Sequence, residues 1–218
     1  MNGRRPQLVF TAVAALLVAA TLSACGGAAD PAVSSSEQPP ALEIGARWAS
    51  ANAADLSTLI RTNPVAFVGT VVRLKEQRDE SLVDPTLVGA GRRTGSLPVS
   101  FYEVRVDDAW SQGVEPGATV IVQQAGGVAS GPDGDAVRLV LEADEPLEAG
   151  SSYLFFTTAS RIEPSALVTS PFARLYVSSD GRLEPLSAWR HLPGLQAVAG
   201  LGVEQARAAV ESAGQGTP

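Results

Sequence analysis

From Leu8 to Leu22 the chain is one apolar run without a charge. A spanning helix needs about 20 such residues, so this run is short for that and suits the core of a signal peptide. From residue 26 to about 46 apolar periodicity disappears. Gly26-Gly27-Ala28-Ala29-Asp30-Pro31 and Ser34-Ser35-Ser36-Glu37-Gln38-Pro39-Pro40 read as a flexible tether. A helical pattern follows. Leu56, Leu59 and Ile60 stand at i, i+3 and i+4, Asn52 or Asp55 is placed to cap the start, and Asn63-Pro64 ends it. Trp48 precedes that helix and is expected to pack on the same core.

The period then changes to that of strands. Val65 to Leu74 is apolar on both faces, as in a central strand, and Gly69 in its middle predicts a bend or bulge of the kind a small closed barrel needs. Residues 77 to 98 read as a long polar connection, a candidate recognition loop. Val99 to Trp110 alternates cleanly. Tyr102, Val104, Val106 and Trp110 form one face, and Glu103, Arg105 and Asp107 the other. Ala118 to Gln124 returns after a Gly/Pro turn. Residues 125 to 136 (AGGVASGPDGDA) read as a Gly-rich hairpin loop and a second candidate contact surface. Strands are expected at Val137 to Glu142, Tyr153 to Thr158, Phe172 to Val177 and Arg182 to Leu186, with Ser179-Asp180-Gly181 as a hairpin turn. Val203, Ala206 and Val210 recur at helical spacing, and Gly214 is expected to close that helix. The pattern predicts a mainly β protein, an antiparallel barrel or a sandwich, with short flanking N- and C-terminal helices.

The domain plan is a cleaved signal at residues 1–24, a tether at 25–46, a single β-barrel domain at 47–213 and a disordered tail at 214–218. Removing residues 1–24 takes Lys+Arg from 16 to 14 against 23 Asp+Glu, a formal charge of −9 on the mature chain. Such a body is repelled by phosphate backbones and by anionic headgroups, which argues against nucleic-acid binding and against a basic membrane patch.

Arg4 and Arg5 precede the apolar run, and Leu22-Ser23-Ala24-Cys25 closes it. These segments resemble bacterial lipoprotein precursors, with Leu22 to Cys25 as the lipobox. The resemblance implies cleavage between Ala24 and Cys25, and a diacylglycerol on the Cys25 sulfur. It implies an extracytoplasmic protein held at the cell membrane by that lipid. The Arg4-Arg5 pair leaves the export route open between the general and the twin-arginine pathways. Cys25 is the one cysteine of the chain, so with it acylated the body has no disulfide, thiol redox chemistry or Cys-containing metal site.

Three stretches resemble the OB-type barrel of tissue-inhibitor-of-metalloproteinase and netrin-like domains: Val68-Gly69-Thr70-Val71-Val72, Tyr102 to Gly113, and Leu147 to Phe156. The resemblance implies a small OB-like barrel. Its inhibitory chemistry needs a free N-terminal cysteine and disulfides, and does not transfer to a chain whose cysteine is lipidated.

Catalytic chemistry finds little footing. His191 is the single histidine and Lys75 the single lysine, and no Gly-x-Ser-x-Gly elbow occurs. Glu103, Asp107 and Asp108 lie close in sequence, but Glu103 and Asp107 fall on the expected solvent face. Asp133 and Asp135 lack the further ligands of a calcium loop, and the glycines of 125–136 do not open onto a helix as a phosphate cradle would. Trp110, Tyr153, Phe155 and Phe156 read as core. No catalytic, cofactor or metal residue is assigned. The expectation is a non-enzymatic domain binding an envelope protein, peptide or glycan, with membrane lipid bound through Cys25. The alternative is an envelope or extracellular hydrolase using carboxylates or His191.

Overall fold

The structure is a computed structural model that describes residues 41–44, 53–81, 96–130, 135–141 and 144–215. All of them belong to one compact unit, Gln38–Pro218. The Leu8 to Leu22 run, Ala24, Cys25, Trp48, Asn52 and Asp133 lie outside the described residues. Among the described residues no helix is long and apolar enough to cross a membrane.

The protein is mainly β. Its strands are β1 (Ala41–Ile44), β2 (Val65–Ser81), β3 (Ser96–Ala109), β4 (Thr119–Ala125), β5 (Gly127–Ser130), β6 (Ala136–Leu141), β7 (Ser152–Ala159), β8 (Ala166–Val168), β9 (Arg174–Val177) and β10 (Leu183–Pro185). The helices are α1 (Leu56–Thr62), α2 (Pro193–Gln196) and α3 (Val203–Gln215). One sheet runs β10-β9-β7-β2-β3-β4-β8, and β8 pairs back to β7. Five strands, β7-β2-β3-β4-β8, therefore close a ring, in line with the small OB-like barrel expected above, though not a clean barrel. The ring is uneven. β4–β8 is parallel, and β8 meets β7 through only Thr158↔Val168 and Ala159↔Leu167.

The curvature comes from β2. Its pairing with β3 shifts register between Val68 and Gly69, and twice more toward its end. At the first shift a Cβ on residue 69 would stand 2.8 Å from the Arg105 carbonyl oxygen, so the bend requires glycine. β2 is apolar on both faces because it separates two cores. Inside the ring Phe67 and Val71 pack with Val104, Val106, Val122 and Phe155. Outside it Ala66 and Val68 pack with Leu154, Phe156 and Leu175 under Leu59, Leu195, Ala206 and Val210 of the helices. Asp55 caps α1, its side chain accepting from the Thr58 N–H at 2.6 Å. Arg207 of α3 donates to Asp108 at 3.1 Å, fixing that helix to the end of β3. Trp110, Tyr153, Phe155 and Phe156 are all core, as their apolar settings indicated.

Five expectations are corrected. Residues 77–81 and 96–98, read as loop, are paired strand, with Gln77 opposite Ser100 and Arg78 opposite Val99. This end of the β2–β3 ribbon carries polar side chains among its cross-strand pairs, so no apolar run marked it. Residues 82–95 lie outside the described residues. Within 125–136, residues 127–130 form β5. Residues 41–44, counted in the tether, form β1, parallel to β6. Finally, β6 is not a ring strand: it is the centre of a separate sheet, β1-β6-β5. α3 also runs past Gly214 to Gln215.

Candidate functional site

Along β3 the positions facing the ring interior are, in order, Val106, Val104, Tyr102 and Ser100. On β4 opposite Val104, Tyr102 and Ser100 stand Val120, Val122 and Gln124. The interior thus changes from apolar to polar toward one end of the barrel. At that mouth Gln124, Asp144 and Arg174 are buried together, at 2 %, 2 % and 1 % exposure. Arg174 enters from β9, directly opposite Phe155 of β7.

The network is partly satisfied. Arg174 Nη2 lies 2.9 Å from Asp144 Oδ1 and also donates to the Glu145 carbonyl. Gln124 Nε2 donates to the same Asp144 oxygen at 2.9 Å and to the Glu145 carbonyl at 2.8 Å, while Gln124 Oε1 accepts from the Leu147 N–H at 3.1 Å. Asp144 Oδ2, Arg174 Nε and Arg174 Nη1 are buried without a hydrogen-bond partner among the described residues. An unpaired buried polar atom costs about 1–3 kcal/mol, so an open acceptor and two open donors here call for a reason. Burial pushes the Asp144 carboxyl above its ordinary range, against the Arg174 charge and the Gln124 hydrogen bond, which favour the ionised form. Burial likewise raises the phenols of Tyr102 and Tyr153, so both remain neutral donors.

The small sheet covers this mouth. Ser100 Oγ donates to the Gly126 carbonyl at 2.8 Å, and Gln77 Nε2 donates to Ser100 Oγ at 3.0 Å. Gln77 Oε1 accepts from the Val128 N–H at 3.2 Å, and the Gly126 N–H donates to the Pro98 carbonyl at 2.8 Å. Gly126 has φ +103°, and a Cβ there would meet the Leu139 carbonyl oxygen at 2.9 Å. Only glycine allows the chain to turn from β4 into β5 so close to β6. Between ring and hairpin lies a cleft of about 450 Å³, counting its open mouth. Tyr102, Gln124 and Asp144 stand on the ring side, and Arg138, Leu139 and Val140 of β6 on the other. Arg138 Nε is buried and also lacks a partner among the described residues. Arg174 lines a second, smaller cleft of about 370 Å³ with Tyr153 and Tyr176.

The residues singled out by sequence for catalysis do not meet here. His191 and Lys75 are exposed. Glu103 is held by Arg73 through two bonds of 2.8 and 2.9 Å, and this pairing lowers its pKa. Asp107 accepts from Thr70 at 2.5 Å and Arg105 at 3.0 Å, and Asp108 from Trp110 Nε1 at 2.7 Å. Asp135 is exposed. Among the described residues no three His, Cys, Asp or Glu side chains group as a metal would require. The candidate surface at 125–136 does contribute, because Gly126, Gly127 and Val128 border the cleft, as does Gln77 from the start of 77–98. Sequence reasoning missed Gln124, Arg138, Asp144 and Arg174. The available signal was a lone arginine inside an apolar strand, in AVRLVL and in FARLYV.

No protein-family model, curated protein or solved structure matches the chain.

Proposed function

We propose that this chain is a lipid-anchored extracytoplasmic lipoprotein. Its OB-like ring is a non-enzymatic binding domain for an envelope protein, peptide or glycan, held at the barrel-mouth cleft. The observation that carries the reading is the Asp144 carboxylate oxygen, buried and without a partner among the described residues, on a residue that lines the cleft together with Arg138, whose Nε is likewise open. A preformed recess with a few open polar groups is the usual form of a ligand site, and barrel mouths are common places for one. The carboxylates that a hydrolase would use are instead paired off on the surface. The Leu22-Ser23-Ala24-Cys25 motif supports the anchor, and the five-strand ring supports the reading of the body as a small OB-like domain.

The test is photo-crosslinking in cells producing the full precursor. A photoreactive residue replaces Val128, 42 % exposed at the rim of the cleft, or, as a control, exposed Glu184 on β10. A discrete adduct from position 128 and none from 184 is the expected result. Equal labelling at both, or none at either, would defeat the assignment of the cleft.

A further inference from the structure

We infer that the cleft takes a neutral glycan, seating a sugar ring whose neighbouring hydroxyls bond to Asp144 Oδ2 and Arg138 Nε. This rests on the binding reading above and names its ligand class. Three observations lead to it. The first is the pairing of opposite characters: Asp144 and Arg138 line the same recess, and among the described residues the acceptor Asp144 Oδ2 and the donor Arg138 Nε are without a partner. A hydroxyl is both donor and acceptor, so adjacent hydroxyls satisfy both atoms without adding charge.

The second is the charge balance. Arg174 already lies 2.9 Å from Asp144 and offsets its charge. A cationic ligand would enter beside Arg174 and Arg138, and an anionic one would meet Asp144. A cation would find no free counter-charge there, and an anion that met Arg138 would leave the open Asp144 acceptor unsatisfied and repelling it. A neutral polar ligand avoids both penalties.

The third distinguishes a sugar from an extended peptide. A peptide bound as an added strand needs an open strand edge. β3 is paired on both sides by β2 and β4, and β6 on both sides by β1 and β5. On its outer side β5 is met by the Gln77 side chain at the Val128 N–H, and the preceding Gly126 N–H is bonded to Pro98. The cleft therefore offers side chains rather than a backbone ladder. Leu139 and Val140 give it an apolar surface for the C–H face of a ring.

The experiment uses the full-length protein in detergent. Its probes are immobilised neutral hexose and N-acetylhexosamine oligosaccharides, uronic-acid oligosaccharides and extended tetrapeptides. Neutral oligosaccharides are expected to be retained in preference to the other two. Arg138→Met keeps the side chain's apolar length and removes the donor. It should weaken retention at least tenfold without lowering the unfolding temperature, since Arg138 Nε has no partner to lose among the described residues. Asp144→Asn, which keeps the shape and removes the charge, should weaken it as well. Unchanged retention by Arg138→Met, preference for uronates or peptides, or no oligosaccharide retained would each overturn the glycan assignment. The crosslink at position 128 separates the two levels. A protein adduct there leaves the binding domain standing without a glycan, whereas no adduct of any kind removes both.

Discussion

Asp144 and Arg174 are as buried as the phenylalanines beside them, yet only one carboxylate oxygen and one guanidinium nitrogen are bonded. Taking two ions out of water is expensive, and the attraction between them offsets that only when their remaining valences are met. Removing one partner is worse than removing both. Asp144→Ala should destabilise the protein by about 3–5 kcal/mol, because it leaves Arg174 buried and unpaired. The pH dependence has a definite sign. Burial raises the Asp144 pKa above its ordinary value of 3.8, so between that value and the raised one the folded state binds more protons than the unfolded state. Stability contributed by this residue therefore falls as pH rises through that window. Glu103 and Glu163, lowered by their hydrogen-bonding partners Arg73 and Ser165, work in the opposite direction. They are common to wild type and Asp144→Asn and cancel in the difference. Urea unfolding of both proteins at several pH values should show wild type gaining on the variant as pH is lowered toward 3.8. A difference that does not change with pH would mean that Asp144 does not titrate in this way.

The three helices form no core of their own. α1 has seven residues and α2 four, far below the length at which an isolated helix holds in water. They persist because Leu59, Leu195 and Val210 bury against the outer wall of β2, β7 and β9. Leu59 is fully buried there, so Leu59→Ala should cost roughly 2–5 kcal/mol, read as a lowered unfolding temperature. Retention of the cleft ligand at a temperature where the variant is folded should not change, since Leu59 lies outside the ring. An undiminished unfolding temperature would show that the helices are not held by this contact. These same elements separate what the sequence made legible from what it did not. α1, its Asp55 cap, the β2 bend at Gly69 and the alternation of β3 all follow from apolar spacing and glycine placement, because each buries a face. β5, β8 and the 77–81 end of β2 could not be read this way. β8 has three residues and β5 four, and the end of β2 is held by cross-strand pairing with polar side chains. The cleft was half legible. Its Gly126-Gly127 border stood out as a glycine cluster, but Asp144 and Arg174 are 30 residues apart in sequence and meet only because β9 lies beside β7.

For the molecule as a whole, charge and anchor have to be considered together. With residues 1–24 removed, as proposed, the body would carry a formal −9, Arg4 and Arg5 leaving with the signal. Such a body gains nothing from an anionic membrane surface, whose field acts over only about 8–10 Å at physiological salt. Attachment in this proposal rests on acyl chains at Cys25, at about 0.8 kcal/mol per buried CH₂, and two chains give stable anchoring where one does not. Two outcomes follow that an electrostatic attachment would not produce together. High salt should leave the wild-type protein in the membrane fraction. Cys25→Ser should abolish the acyl mass seen by mass spectrometry of the intact protein and release the mature domain from that fraction. Salt alone would release a protein held by charge, and Cys25→Ser would leave an uncleaved helical anchor in place. A wild-type Cys25 without acyl mass, or wild-type protein washed off by salt, would remove the lipid from the account and with it the reason to place the cleft at the membrane surface.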